Sequence, residues 1–113
     1  MESIRQQKIS RLLQKDLGEL FQKEGASVTD KKVMITVTKV KVTKDLQLAD
    51  IFLSIFGTEE KESVIETINQ KTAEIRYTIG KKLRHQLRAI PQLRFFIDDS
   101  LDYIDKIDEL LDH

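Results

Sequence analysis

The chain has no cysteine, no tryptophan and a single proline, Pro91, and its four glycines (Gly18, Gly25, Gly57 and Gly80) are too scattered to form a phosphate-cradling loop. Without thiols it can build neither a disulfide framework nor a thiolate site, and a reducing compartment, the cytosol, is expected. No apolar run approaches the roughly 18 residues of a membrane-spanning helix. Residues Met1 to Arg5 lead into no apolar core of the secretory kind, so neither an anchor nor a signal is expected. The only histidines are His85, inside a basic segment, and His113, the last residue, which leaves little from which to build a general base or a metal site. Asp98 and Asp99 are adjacent at the end of an expected strand, where successive side chains point to opposite sides, so they do not form a proton-sharing pair. Catalysis, a metal and an organic cofactor are all unexpected.

What is present is charge. With 113 residues, 40% of them apolar and 34% charged, the chain has room for one domain spanning 1–113 with one core and a heavily charged surface. Its formal net charge of zero is a cancellation between neighbours. From Lys71 to Arg94, seven cations (Lys71, Arg76, Lys81, Lys82, Arg84, Arg88 and Arg94) stand against Glu74 alone. From Asp98 to His113, seven acids stand against Lys106. A polyanion meets the local field of a face, screened over about 10 Å, so the segregation matters more than the total.

Residues 3 to 23 read as a helix: Ile9, Leu12, Leu13, Leu17, Leu20 and Phe21 recur at spacings of three and four, with Ser3 as cap and Gly25 as stop. Its polar side carries Arg5, Lys8, Arg11 and Lys15. A polar loop, Ala26 to Lys32, follows. Val33 to Val42 alternates as a strand, but its phase slips between Val33, Ile35, Val37 and Val40, Val42, which predicts a bulge near Thr38. After a turn at Thr43-Lys44-Asp45, Leu46 to Phe56 is apolar on both parities, as in a central strand covered on both sides, and pairs with the first as an antiparallel hairpin. Thr58 is the expected cap of a helix from Glu59 to about Gln70. A second helical run, Ala73 to about Leu87, buries Ile75, Ile79, Leu83 and Leu87. If it reaches Arg88, it turns Lys81, Arg84 and Arg88 to the opposite side. Pro91 precedes a third strand, Gln92 to Ile97, and Ser100 caps a final short helix with Leu101, Ile104, Ile107 and Leu111 as its apolar edge. The order predicts an α+β layer, a three-stranded sheet with helices on one face.

The cations between Arg76 and Arg94 lack the acidic partners that a merely soluble helix would carry four residues away, which points to a polyanion as partner. The first helix offers a second basic patch, and the sequence does not say whether the two adjoin. Ile79-Gly80-Lys81-Lys82 resembles the glycine loop of KH domains, but the second glycine would be Leu83, which completes an apolar stripe, so continuous helix is expected. Phe52, Phe56, Phe95 and Phe96 lie in strands and read mostly as core. Tyr77 is the exception, its helical angle lying beside Arg84, so tracking of a nucleic-acid backbone or reading of its shape is expected rather than base stacking on a sheet.

Three stretches taken in order resemble the ribosome-binding factor A family. They are Val37-Thr38-Lys39-Val40-Lys41-Val42-Thr43-Lys44-Asp45-Leu46 with Ala49-Asp50-Ile51-Phe52-Leu53-Ser54, then Ile75-Arg76 with Ile79-Gly80 and Leu83, and then Pro91-Gln92-Leu93-Arg94-Phe95-Phe96-Ile97-Asp98-Asp99-Ser100. The likeness runs from about Arg5 to Leu111. It implies a type II KH-like fold in which a kink between two helices replaces the glycine loop. The family's alanine, any residue, glycine at that kink align with Lys71, Thr72 and Ala73, so this sequence departs at both small positions, and a gentler break or a Thr72 cap is expected. The resemblance further implies a non-enzymatic monomer without cofactor, in the bacterial cytoplasm or an organelle. It would bind the immature small (30S) subunit and its 16S rRNA, promote late maturation and 5′-end processing, and support growth in the cold, with an assembly GTPase as a further partner. The residues expected to meet RNA are Lys81, Arg84 and Arg88, flanked by Arg76, Lys82, Arg94, Lys71 and Tyr77, with Arg5, Lys8 and Arg11 as the second patch. The acidic end either keeps the basic face from binding RNA indiscriminately or solubilises the far side. A generic KH-type RNA binder, or an interaction module pairing basic face to acidic tail between copies, are the other readings.

Overall fold

A computed structural model describes residues 2–29 and 33–98, and from Glu24 to Thr29 the backbone alone. The chain begins with α1 (Ile4–Thr29). Ser3 caps it in a reciprocal box: the Gln6 amide donates to the Ser3 hydroxyl at 3.1 Å, and the Ser3 amide donates to the Gln6 side-chain oxygen at 2.8 Å. The Gln6 side chain is buried and donates onward to the Val42 carbonyl at 2.8 Å, so the cap also fixes the helix start against the end of a strand. Gly25 does not stop the helix, which runs four residues further to Thr29. Glycine weakens a helix interior, and it terminates one only where the backbone takes up a left-handed conformation.

Strands β1 (Met34–Val42) and β2 (Leu48–Phe56) pair antiparallel, and β3 (Gln92–Ile97) joins β2 in parallel, giving the sheet order β1-β2-β3. The register slips between Val37 and Lys39, so the expected bulge falls on Thr38. Its hydroxyl lies 2.5 Å from the Asp98 carboxylate and 3.2 Å from the Phe52 carbonyl. With one proton to donate, the charged acceptor is the stronger partner. The turn is longer than the three residues expected, since the Thr43 amide bonds the Leu48 carbonyl and Leu46 takes a left-handed backbone (φ 61°).

Gly57, also left-handed at φ 100°, leads out of β2. Helix α2 (Lys61–Gln70) starts two residues later than expected. The Thr58 hydroxyl accepts the Glu60 amide at 3.0 Å in a turn before the helix and does not cap it. Lys71 alone separates α2 from α3 (Thr72–Leu83). Thr72 does not cap α3 either, because its hydroxyl donates back to the Asn69 carbonyl at 2.6 Å. Helix α3 ends at Leu83, short of the expected Leu87. One further turn, closed by the Gln86 and Leu87 amides on the Leu83 carbonyl, brings the chain round to Pro91 and β3.

The helices cover one face of the sheet. Ile35, Val37, Val40 and Val42 of β1, Ala49, Ile51, Leu53 and Ile55 of β2, and Leu93 and Phe95 of β3 are buried there against Leu13, Leu17, Val64, Ile68, Ile75, Ile79 and Leu83. None of the described helices lies on the other face, although within β2 only the last residue, Phe56, is exposed. Phe56 and Phe96 are each 39% exposed, and Phe52 stacks on Phe96 with ring centroids 5.6 Å apart. These three phenylalanines line the sheet's other face, and of the four strand phenylalanines only Phe95 belongs to the core. The final helix expected from Ser100 lies outside the described residues.

Candidate nucleic-acid interface

On α3 the two sides are chemically opposite. Ile75, Ile79 and Leu83 are buried, while Ala73, Arg76, Tyr77, Gly80, Lys81 and Arg84, each three or four residues from another of the set, share the outer side. Lys81 extends over the Tyr77 ring, its ammonium 4.8 Å from the centroid, a cation–π contact that leaves both groups at the surface. Arg76 has a different duty. Its Nε and Nη2 donate to the Ile90 carbonyl at 3.2 and 2.6 Å, and Nε also reaches the Pro91 carbonyl at 3.2 Å, so it fastens the segment after α3 back onto the helix.

That segment, Arg84 to Pro91, is where the two basic patches meet. On one side of it a crevice of about 480 Å³ is lined by Ala73, Arg76, Tyr77, Gly80, Lys81, Arg84 and Ile90. On the other side a crevice of about 440 Å³ is lined by Arg5, Lys8 and Ile9 of α1, by Asp45 to Gln47, and by Gln86 to Ala89. A third, of about 800 Å³, joins them through Arg76, Ile90 and the β1–β2 turn. Arg88, which is not helical, therefore sits with Arg5 and Lys8, and Arg11 is exposed one turn further along α1. Lys82 is exposed on α3, and Lys71 occupies the corner between α2 and α3. Arg94 lies apart. It points from β3 to the face with Phe96, and its guanidinium forms a two-pronged ion pair with Asp50 at 2.8 and 3.1 Å.

The β1–β2 turn was missed as part of this surface. Lys44, Leu46 and Gln47 line its crevices because the Gln92 amide donates to the Gln47 carbonyl at 2.8 Å, which ties the turn to the segment from Arg84. Parallel pairing of β3 with β2 was the signal that could have found it. The acid here, Asp45, is held below the usual carboxylate range first by the Thr43 hydroxyl at 2.6 Å and then by the Gln47 amide at 3.2 Å. The left-handed Leu46 carries backbone strain at the same place, as functional loops often do. Among the described residues no three His, Cys, Asp or Glu side chains gather in a metal-binding group. The arrangement is one of cations around shallow crevices, suited to phosphate contacts.

The family model of ribosome-binding factor A matches residues 5–111. Ribosome-binding factor A of Flavobacterium johnsoniae is 45% identical over 111 residues, covering 98% of this chain and 85% of the relative. That of Christiangramia forsetii is 43% identical over 108 residues, with 96% and 82% covered. The crystal structure of ribosome-binding factor A from Thermus thermophilus superposes with a TM-score of 0.65 at 17% identity, covering 81% of this chain and 94% of that one. A homology model of the Thermus thermophilus protein, fitted into a cryo-EM map of its complex with the 30S subunit, gives 0.59 at 19% identity, with 78% and 93% covered. These two likenesses show the fold, the type II KH-like arrangement in which the α2–α3 corner stands in place of a glycine loop. By sequence, the chain belongs to the ribosome-binding factor A family.

Proposed function

We propose that this protein is a non-catalytic assembly factor of the bacterial cytoplasm that binds the immature small ribosomal subunit and contacts its 16S rRNA. There it favours the late maturation of that rRNA, including 5′-end processing and its completion in the cold. One observation carries the reading: the cations of α3 and those of α1 converge on the segment Arg84 to Pro91 from its two sides. Lys81, Arg84, Arg88, Arg5 and Lys8 make phosphate contacts there, and Arg76 holds the segment in shape. Family membership and the complex of the Thermus relative with the 30S subunit support this choice of partner. A factor of this kind works by binding one rRNA conformation more tightly than another, since equal affinity for both would shift nothing.

The test is co-sedimentation with immature small subunits, mature small subunits and large subunits across a salt series, beside a Lys81→Gln/Arg84→Gln/Arg88→Gln variant of unchanged helicity. Binding selective for immature small subunits, falling with salt and weaker in the variant, is expected. Equal binding to all particles would reduce the protein to a generic RNA binder, and binding that the variant does not weaken would remove the interface from this surface.

A further inference from the structure

Phosphate contacts need cations in the open and nothing more, yet the crevice beside α3 has features that charge does not call for. Along the outer stripe of α3 each small residue is followed by two long ones. Ala73 and Gly80 make a low floor, while Arg76, Tyr77, Lys81 and Arg84 rise around it. Ile90 forms an apolar wall opposite the helix, held in place by the bonds from Arg76 to its carbonyl. Tyr77 is 66% exposed, although burial of an aromatic ring is favourable. The Lys81 ammonium lies over one face of its ring, 4.8 Å from the centroid.

A flat ring, an apolar wall and cations at the rim together match a nucleotide whose base is out of its helix, with the base against Tyr77 and Ile90 and the phosphate toward Lys81 and Arg84. The volume of about 480 Å³ falls within the range of small-ligand pockets. A paired base in duplex RNA does not present its face, so it does not fit. The phenylalanines on the other face of the sheet are poorer candidates, because Phe52 and Phe96 cover one another and the Arg94 guanidinium sits 5.6 Å over the Phe96 ring. We propose that the crevice between α3 and Ile90 is a pocket for a single unpaired RNA nucleotide, stacked on Tyr77. This rests on the RNA-binding reading above and gives it a mode: part of the affinity comes from one extruded base, and is non-ionic.

The full chain and its Tyr77→Ala, Tyr77→Phe and Lys81→Gln variants would be titrated by fluorescence anisotropy against a short single-stranded RNA and a blunt RNA duplex of equal length, over a series of salt concentrations. Tyr77→Ala should weaken single-strand binding by about tenfold without changing its salt dependence, and Tyr77→Phe should restore it. Duplex binding should be indifferent to both. Lys81→Gln should lower the salt slope by about one unit on both probes. Equal losses on strand and duplex, failure of Phe to rescue, no loss in Tyr77→Ala, or no binding of the single strand by the unaltered protein would each overturn the pocket. Small-subunit binding in the co-sedimentation assay separates the two proposals: if it persists while any of these results is obtained, only the pocket falls.

Discussion

The side chain of Asn69 completes the edge of the sheet at Phe95. Its Nδ2 donates to the Phe95 carbonyl at 3.0 Å, and its Oδ1 accepts the Phe95 amide at 3.0 Å, the two bonds that a further strand would make. β3 is an edge strand by the order β1-β2-β3, and an open edge is a template for pairing with another chain. A single amide on α2 both closes that edge and fixes how the helix sits over it. Phe95 turns its ring into the core, edge-on to Phe21 with centroids 6.0 Å apart, so one residue anchors α1, α2 and β3 together.

Replacing Asn69 by Ala would leave both part-buried backbone groups of Phe95 without these partners, at a cost of about 1–3 kcal/mol. Urea unfolding should show a lower midpoint with an unchanged slope. Asn69→Asp should be no better, because it keeps the acceptor and sets a second oxygen against the Phe95 carbonyl. A midpoint equal to the unaltered protein in both variants would mean that water replaces the amide without loss.

Asp45 supplies a pH test of the β1–β2 turn. The Thr43 hydroxyl, and after it the Gln47 amide, hold the Asp45 carboxyl below its ordinary value, so the folded-state pKa is the lower of the two. The stabilisation is therefore fully present above the unfolded-state pKa of about 3.9, and is lost as pH falls through the folded value. An NMR titration of the Asp45 carboxyl carbon should place its midpoint below the ordinary one, and Thr43→Val should move it upward. A midpoint that ignores Thr43→Val would assign the depression to another cause.

Arg88 and Arg94 should behave as residues of different faces. Arg88→Gln removes a cation from the crevice shared with Arg5 and Lys8, and should reduce both RNA affinity and its salt slope. Arg94→Gln breaks an exposed ion pair with Asp50, which solvent screens, so it should hardly move stability and should leave RNA binding as it was. Equal losses of affinity would place the Phe96 face in the interface as well.

Much of this architecture is written in local patterns. The parity change between Val37 and Val40 marks the Thr38 bulge, because a period of two can slip only where a residue is inserted. Ser3 marks the start of α1, and the four-residue spacing of Ile75, Ile79 and Leu83 marks the buried side of α3. Helix ends were less legible. Gly25 permits a stop without imposing one, and the Thr58 hydroxyl serves a turn as readily as a cap. Least legible was the destination of each cation. Arg76 turns to the carbonyls of Ile90 and Pro91 only because the segment after Leu83 doubles back, and Arg94 leaves the basic cluster because Leu93 and Phe95 take the inner side of β3. Both depend on contacts distant in sequence, which charge and periodicity do not carry.

Gly18 and Gly80 allow stability and binding to be separated. Both lie inside helices, where glycine is about 1 kcal/mol less favourable than alanine. A methyl group at Gly18 would meet nothing within 4 Å, and one at Gly80 would rest 3.6 Å from Ile90 Cγ1, an ordinary contact. Each Gly→Ala change should thus raise stability by about 0.5–1 kcal/mol, read as a higher urea midpoint. Their effects on RNA should differ. Gly18 is remote from the basic crevices, so Gly18→Ala should bind the single-stranded probe unchanged, whereas Gly80 is the floor between Tyr77 and Ile90, and a methyl there narrows the slot. A more stable Gly80→Ala protein with weaker single-strand binding and intact duplex binding would show that the low floor serves the ligand and not the fold. Unchanged binding would mean that the base does not reach the helix backbone at Gly80.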